Sequence, residues 1–552
     1  MRRTGGDRRV PIHGRKCKDF RALGISPVPP GNRHIASPTR DTGPPSFGSV
    51  LSRTRTFAIQ GVDAVPVDVE IDIHRGLPSF SLVGLPDAAV RESRERVRAA
   101  IVNSGFDFPL TRITASLAPA DLRKAGPGFD LAIAAAILRA SKQVEGPELE
   151  GWWFAGELAL DGSVRGLSGV LAMAERAARA EPGEPSGIAA AAANFGEAGL
   201  VGGLRIAALR RLTDLRDLAK GVLPPEPVLP GPRVVDRGLP DLADLRGQGP
   251  LRYALEVAAA GGHGLLVVGP PGAGKSLAAR RLPSLLPPLT SAEAIEVTKI
   301  ASIAGRPPRD GTLAARPFRA PHHTISAAGL VGGGSPPRPG EITLAHRGVL
   351  FLDELGEFTR ASLEALRQPL EEGRVTISRA HGSITLPAGF QVCAAANPCP
   401  CGHGAGAQRC RCRPDQVRAY SARLSGALAD RFDISLAVEQ PTAAELADDD
   451  GESSEEVAVR VALARERQAN RLGPGRVNAT MSEPELAEHA RPDAAGAEAL
   501  REGHERMGLS GRGWNRVLKV ARTVADLEGT ADIGARHIDL ALSLRRRRGE
   551  DQ

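Results

Sequence analysis

Residues 265–276 read Leu-Leu-Val-Val-Gly-Pro-Pro-Gly-Ala-Gly-Lys-Ser, and this stretch decides the fold. Its first four residues are an uninterrupted apolar run, suited to a strand buried on both faces of a parallel sheet. The remainder fits Gly-x-x-x-x-Gly-Lys-Ser, and a helix-forming segment follows it. In that setting the glycines let successive backbone N–H groups turn inward around a phosphate, and the helix N-terminus adds partial positive charge. The cradle comprises Gly269, Pro270, Pro271, Gly272, Ala273, Gly274, Lys275 and Ser276. Lys275 is expected to pair with the β- and γ-phosphates of ATP, and the Ser276 hydroxyl to ligate Mg²⁺. A chance glycine-rich turn is the competing reading; the flanking strand and helix patterns argue against it.

Downstream, Val349-Leu350-Phe351-Leu352-Asp353-Glu354 is a second buried strand, ending in two carboxylates. Asp353 is expected to orient the Mg²⁺, and Glu354 to polarise the water that attacks the γ-phosphate. A third strand, Gln391–Ala395, leads to Asn397, which would reach between these elements and help to place the water. Strand–loop–helix units run from about Val234 to Glu439, as expected of an α/β nucleotide-binding domain.

The rest of the chain is organised around this unit. Residues 1–55 hold 12 of the 71 lysines and arginines but 3 of the 64 acidic residues, which leaves 59 against 61 in the remainder. The net charge of +7 is therefore a property of the tail, and bulk charge gives no support for nucleic-acid binding. That tail, rich in Arg, Pro, Gly and Ser, reads as disordered, with later translation initiation as the alternative. Residues 56–220 begin with a period-two strand (Val65, Val67, Val69, Ile71, Ile73). An amphipathic helix follows at Asp87–Asn103, a strand near Arg112–Leu117 and a buried helix at Phe129–Ala140. The Pro/Gly-rich residues 221–233 read as a linker, residues 234–440 as the nucleotide-binding core, 441–545 as a helical lid and 546–552 as a disordered end. No apolar run is long enough to span a membrane and no apolar core follows the basic N-terminus, so the expected compartment is the cytoplasm.

Five of the six cysteines lie between Cys393 and Cys412. Cys399-Pro-Cys401 and Cys410-Arg-Cys412 flank a glycine-rich loop, and four thiolates on one hairpin can close a tetrahedral Zn²⁺ site with no open position. Reduced, metal-free thiols are the alternative, since the C-x-C spacing is tighter than usual.

Taken together, GLPSFSLVGLPDAAVRESRERVRAAI, LAPADLRKAGPGFDLAIA, GPPGAGKS, RPFRAPHHTIS, RPGEITLAHRGVLFLDE, LRQPLEEGRVTISRA and NPCPCG resemble the ComM/YifB family of magnesium-chelatase-like AAA+ ATPases, from Thr56 to Arg545. The resemblance implies a multidomain α/β protein: a Lon-protease-like α+β N-terminal domain, an AAA+ P-loop core and a C-terminal helical lid. It also implies a hexameric ring with ATP between subunits. Arg431, in Leu-Ala-Asp-Arg-Phe-Asp, looks like the arginine finger acting on a neighbour's nucleotide, a salt bridge to Asp430 or Asp433 being the bland alternative. Arg512, in Ser510-Gly511-Arg512-Gly513, resembles the second sensor and is expected to touch ATP in its own subunit; Arg516 is the competing choice. Two insertions are expected, a hairpin from Val375–Ser378 and Ser383–Leu386 and a loop over Ala327–Gly340. Arg374, Arg379 and His381 would meet a phosphate backbone there, unless they are simply solvated. His322 and His323 are adjacent, a poor arrangement for binding one metal ion, and a structural or subunit-contact role is expected.

Similarity to Lon-type sites carries its own exclusion. Lys124-Ala125-Gly126-Pro127 is followed by Gly128 where those sites have Ser, and Leu171 stands where they have Lys. Without nucleophile or base, proteolysis lacks its chemistry. The expected function is a DNA-directed motor for branch migration in recombination or natural transformation. A chelatase subunit inserting metal into porphyrin and an ATP-driven protein remodeller are the alternatives.

Overall fold

The computed structural model describes residues 50–224, 226, 238–307, 312–334, 337–379, 382–404, 409–424, 431–447 and 451–545. The tail before residue 50, most of the Pro/Gly-rich linker, Asp430, His381 and the C-terminal residues from 546 onward lie outside them.

The first sheet comprises β1 (Val50–Gln60), β2 (Asp63–His74), β3 (Ser79–Val83), β4 (Arg112–Ala118) and β5 (Trp152–Ala155). β6 (Glu157–Leu158) and β7 (Val164–Arg165) form a small separate hairpin, and β8 (Gly187–Ala191) and β9 (Arg205–Leu209) complete the sheet in the order β3-β4-β2-β1-β5-β8-β9. Its first strand starts at Val50 rather than near Thr56. Thr54 and Thr56 are buried on its inner face, whereas Arg53 and Arg55 turn outward to Asp68 on β2. Hydroxyls fill those inner positions, so an apolar pattern does not reveal them. The helix Ala88–Asn103 begins where Asp87 Oδ1 accepts the Val90 N–H at 2.8 Å, and it buries Val90, Val97 and Ile101. The helix Asp130–Ala140 is buried along its length except at Arg139.

The second sheet orders β11-β14-β17-β10-β18, every neighbour parallel. These strands are β10 (Leu265–Val268), β11 (Phe318–Arg319), β14 (Val349–Leu352), β17 (Gln391–Ala396) and β18 (Ile434–Ala437). Parallel pairing gathers the loops after β10, β14 and β17 at one end, where ligands bind in open α/β sheets.

Between β11 and β14, the expected loop Ala327–Gly340 is instead a short helix, Ala327–Val331, and a tight hairpin of β12 (Gly332–Gly333) and β13 (Arg338–Pro339). Ser326 Oγ caps the helix, and a side chain at Gly340 would fall 2.3 Å from the Gly332 nitrogen. Those glycines mark close backbone approach. β15 (Arg374–Arg379) and β16 (Gly382–Pro387) form the other expected hairpin. Its buried Val375, Ile377 and Leu386 pack with Val62 of the N-terminal domain and with Val331. Arg374 lies opposite Pro387 at the base of the hairpin, not its tip, and reaches Glu372 at 3.2 Å. The Arg379 side chain lies outside the described residues.

The C-terminal helices include Ser454–Leu472, Ala494–Met507, Gly511–Glu528 and Ala535–Ser543. The helices Ser454–Leu472 and Gly511–Glu528 pack against Gly249–Gly261, which precedes β10. Leu544 accepts a hydrogen bond from Ser435 of β18 at 2.8 Å. A polar seam reinforces this packing: His263 bridges Asp433 (2.9 Å) and Thr523 (2.8 Å), and Asn478 bonds Thr523 (3.0 Å) and Asp526 (2.8 Å). Among the described residues, no helix is long and apolar enough to cross a membrane.

The N-terminal and central units meet along the helices Val170–Ala178 and Ser291–Ile303. Lys299 reaches Glu175 (2.9 Å) and Asp63 (3.1 Å), and the Gly169 N–H donates to Ser302 Oγ at 2.7 Å.

Candidate nucleotide site

Residues 271–276 of the loop, Asp353, Glu354 and Asn397 line one cleft of about 320 Å³. Gly272 and Gly274 adopt φ of 82° and 81°, a left-handed backbone that side chains disfavour, and the helix Lys275–Ala279 starts immediately after. The loop is clasped from behind by two glutamines not singled out in the sequence. Gln248 donates to the Ala273 carbonyl at 3.1 Å and Gln440 to the Pro271 carbonyl at 2.6 Å. Only the three-dimensional register shows that these amides support the phosphate loop.

Lys275 Nζ donates to the Gly269 (2.6 Å) and Pro270 (2.9 Å) carbonyls and to Asn397 Oδ1 (3.2 Å). Burial lowers its pKa, opposed by the charges of Asp353 and Glu354. The Ser276 hydroxyl donates to Asp353 Oδ2 at 2.7 Å. A hydroxyl and a carboxylate so paired beside a phosphate cradle are the donor set that fits Mg²⁺, a hard cation that prefers oxygen.

Glu354 stands in the left-handed region with φ 52°, which costs a non-glycine residue about 1 kcal/mol. Its Oε2 lies 3.2 Å from His323 Nδ1. His322 packs against His323 with ring centroids 4.1 Å apart, tilted by 33°, and hydrogen-bonds Thr324 Oγ1 at 2.9 Å. The two imidazoles therefore serve different partners and do not converge on one ion.

Arg431 and Arg512 are elsewhere. Asp433 and Ile434 donate backbone N–H groups to Gly264, at the start of β10, whereas the phosphate loop follows the end of β10. Arg431 is thus separated from its own phosphate loop by the length of the sheet, roughly 13 Å for four residues. With Arg512, Arg516 and Lys519 it lines a second cleft of about 390 Å³. Burial lowers the Arg431 pKa, and the charges of Arg512, Arg516 and Arg367 lower it further; Glu371 is its carboxylate partner. Arg516 turns to Asp433 at 3.4 Å. Asp430, the other partner considered for Arg431, lies outside the described residues. Arg431 pairs with Glu371 and Arg516 with Asp433, and Arg512 lines the cleft of Arg431 rather than the one lined by Lys275 and Asp353.

Cys399, Cys401, Cys410 and Cys412 come together, their sulfurs all within 4.8 Å of one another. They are the one group of metal-ligating side chains of this kind among the described residues.

Comparison with known proteins agrees with this architecture. The magnesium chelatase subunit ChlI family matches residues 241–446, its companion subunit ChlI domain residues 69–184, and the ChlI C-terminal domain residues 451–545. A Mycobacterium tuberculosis protein is 45% identical over 499 residues, 90% of this chain and 98% of its own length. Protein YifB of Escherichia coli is 43% identical over 499 residues (90% and 97%). Competence protein ComM of Haemophilus influenzae is 43% identical over 507 residues (91% and 97%). The chain is an α/β protein with a ChlI-type, ATP-binding AAA+ domain. It belongs to the ComM/YifB family of magnesium-chelatase-like proteins.

Proposed function

We propose that this chain is an ATP-hydrolysing ring motor that acts on DNA. One observation carries the reading: the residues proposed to handle nucleotide line two clefts at opposite ends of the β10 sheet, so that on this reading a complete site needs two copies. Lys275, Ser276, Asp353, Glu354 and Asn397 occupy one end, and Arg431 and Arg512 the other. Head-to-tail contact between such surfaces closes into a ring, and the family resemblance suggests six members.

Within that ring, Lys275 releases its loop carbonyls and turns to the β- and γ-phosphates. Ser276 and Asp353 would hold Mg²⁺, which when bound would offset negative charge on the phosphate oxygens. Glu354 takes the proton of the attacking water, and Asn397 orients that water. Arg431 of a neighbouring copy, joined by its Arg512, neutralises charge gathering on the transferring phosphoryl group. The hairpins β12–β13 and β15–β16 transmit the cycle to DNA. Similarity to a competence protein supports branch migration in recombination or natural transformation, in the cytoplasm. The ChlI name of the matching family favours a second reading, a subunit that drives metal insertion into porphyrin.

ATPase activity measured with and without four-way DNA, with Lys275→Ala as the blank, tests this. Stimulation with strand displacement supports the motor. Indifference to DNA together with stimulation by a porphyrin-loaded partner supports the chelatase reading instead.

A further inference from the structure

We infer that Cys399, Cys401, Cys410 and Cys412 hold a structural zinc ion that sets the shape of the phosphate loop, so that nucleotide affinity depends on the metal. The inference rests on the reading of the Lys275 loop as a nucleotide site.

The sulfur geometry identifies the metal class. Cys399 to Cys401 is 3.4 Å, Cys401 to Cys410 is 3.7 Å and Cys399 to Cys410 is 3.9 Å. A tetrahedron with Zn–S bonds of about 2.3 Å has edges of about 3.8 Å. Sulfurs at these separations are too far apart for disulfides, at about 2.05 Å, and too close for unrelated side chains. Cys399 is fully buried, and the Gly404 N–H donates to its sulfur at 3.2 Å, as donors around metal-bound thiolates do. Four sulfurs leave no position for water, so the ion is structural rather than catalytic.

The same loop abuts the phosphate cradle. Gly402, between the first two ligands and the third, has φ +88°, and a Cβ there would fall 2.9 Å from both Cγ and Cδ of Pro271. Pro271 lies in the phosphate loop, and its carbonyl already accepts from Gln440. On the other side, Asn397 is two residues before Cys399 and accepts from Lys275 Nζ. The metal loop therefore touches the cradle at Pro271 and is covalently continuous with the partner of Lys275. Without the ion, four thiols have no reason to stay together, and both supports loosen.

The test uses the full-length protein, purified reduced and without chelators. Metal analysis should return one zinc per chain. Stripping zinc with a mercurial and chelator should weaken fluorescent-ADP binding at least tenfold, and adding zinc back should restore it. Cys410→Ser with Cys412→Ser should lose both zinc and affinity. Because that variant is exposed to misfolding, Gly402→Ala provides a second arm: it should keep its zinc yet bind ADP several-fold more weakly. Iron or no metal in place of zinc overturns the inference, as does ADP affinity unchanged by stripping. Wild-type protein that holds zinc but binds no nucleotide overturns the phosphate-loop reading, and this inference with it.

Discussion

His323 Nδ1 lies 3.2 Å from Glu354 Oε2, which ties the carboxylate expected to activate water to the loop that follows β11. That loop continues into the helix Ala327–Val331 and the β12–β13 hairpin. His323 is thus the contact through which this segment touches Glu354. His323→Ala should lower kcat about tenfold, a loss of about 1.4 kcal/mol of transition-state stabilisation, and leave nucleotide affinity unchanged. Steady-state ATPase kinetics beside ADP titration check this. An unchanged kcat removes His323 from the mechanism.

The proposed division of the site between two copies makes a second prediction. Arg431→Ala should bind nucleotide normally and hydrolyse it about a thousandfold more slowly, as for other arginine fingers. Mixing Arg431→Ala with Lys275→Ala protein, each inactive alone, should restore activity, because some mixed interfaces join two intact halves. Arg512→Ala should behave in the same way. A mixture no more active than its components contradicts action between copies.

Asp526 anchors the C-terminal helices. It is almost wholly buried and holds Arg471 at 2.7 Å, Asn478 at 2.8 Å and Arg522 at 3.1 Å. Asp526→Ala leaves buried guanidinium groups without their counter-charge, a loss of about 3–5 kcal/mol. Denaturant unfolding monitored by far-UV dichroism should show an earlier transition for this variant, and an unshifted midpoint would show that solvent replaces the carboxylate.

Glu197 makes the seam between the N-terminal and central units sensitive to pH. Burial raises its pKa above the ordinary carboxylate range, even though Ser302, the Leu171 N–H and Asn194 all donate to it. A folded pKa above the unfolded one means that the native state favours the protonated acid. Its contribution to stability is complete below the ordinary Glu value of about 4.3 and is lost as pH rises through the higher native value. Glu197→Gln removes this loss, so its melting temperature should gain on wild type as pH rises over that window. Parallel melting curves would contradict the assignment.

The layout of the candidate site was largely legible in the sequence because its parts are local. A phosphate loop, an apolar strand ending in Asp353-Glu354 and the strand leading to Asn397 each announce themselves within a few residues, and parallel pairing does the rest. The start of β1 was hidden because threonines, not aliphatic residues, fill its inner face. The glycines of Ala327–Gly340 read as a loop because close backbone approach and flexibility use the same residue. The place of Arg512 was not legible for a different reason: it depends on how the C-terminal helices pack on the core, through contacts such as His263 with Thr523, distant in sequence. Gln248 and Gln440 carry no motif, and only tertiary proximity to the loop reveals them.

The central claim is that Lys275 and Ser276 grip a triphosphate that water, activated by Glu354, then cleaves. Single-turnover hydrolysis of pre-bound ATP by Glu354→Gln tests it most directly. The variant should hold ATP with near wild-type affinity and cleave it about 10²–10⁴-fold more slowly, the loss typical of removing a general base. Cleavage at the wild-type rate would contradict the account.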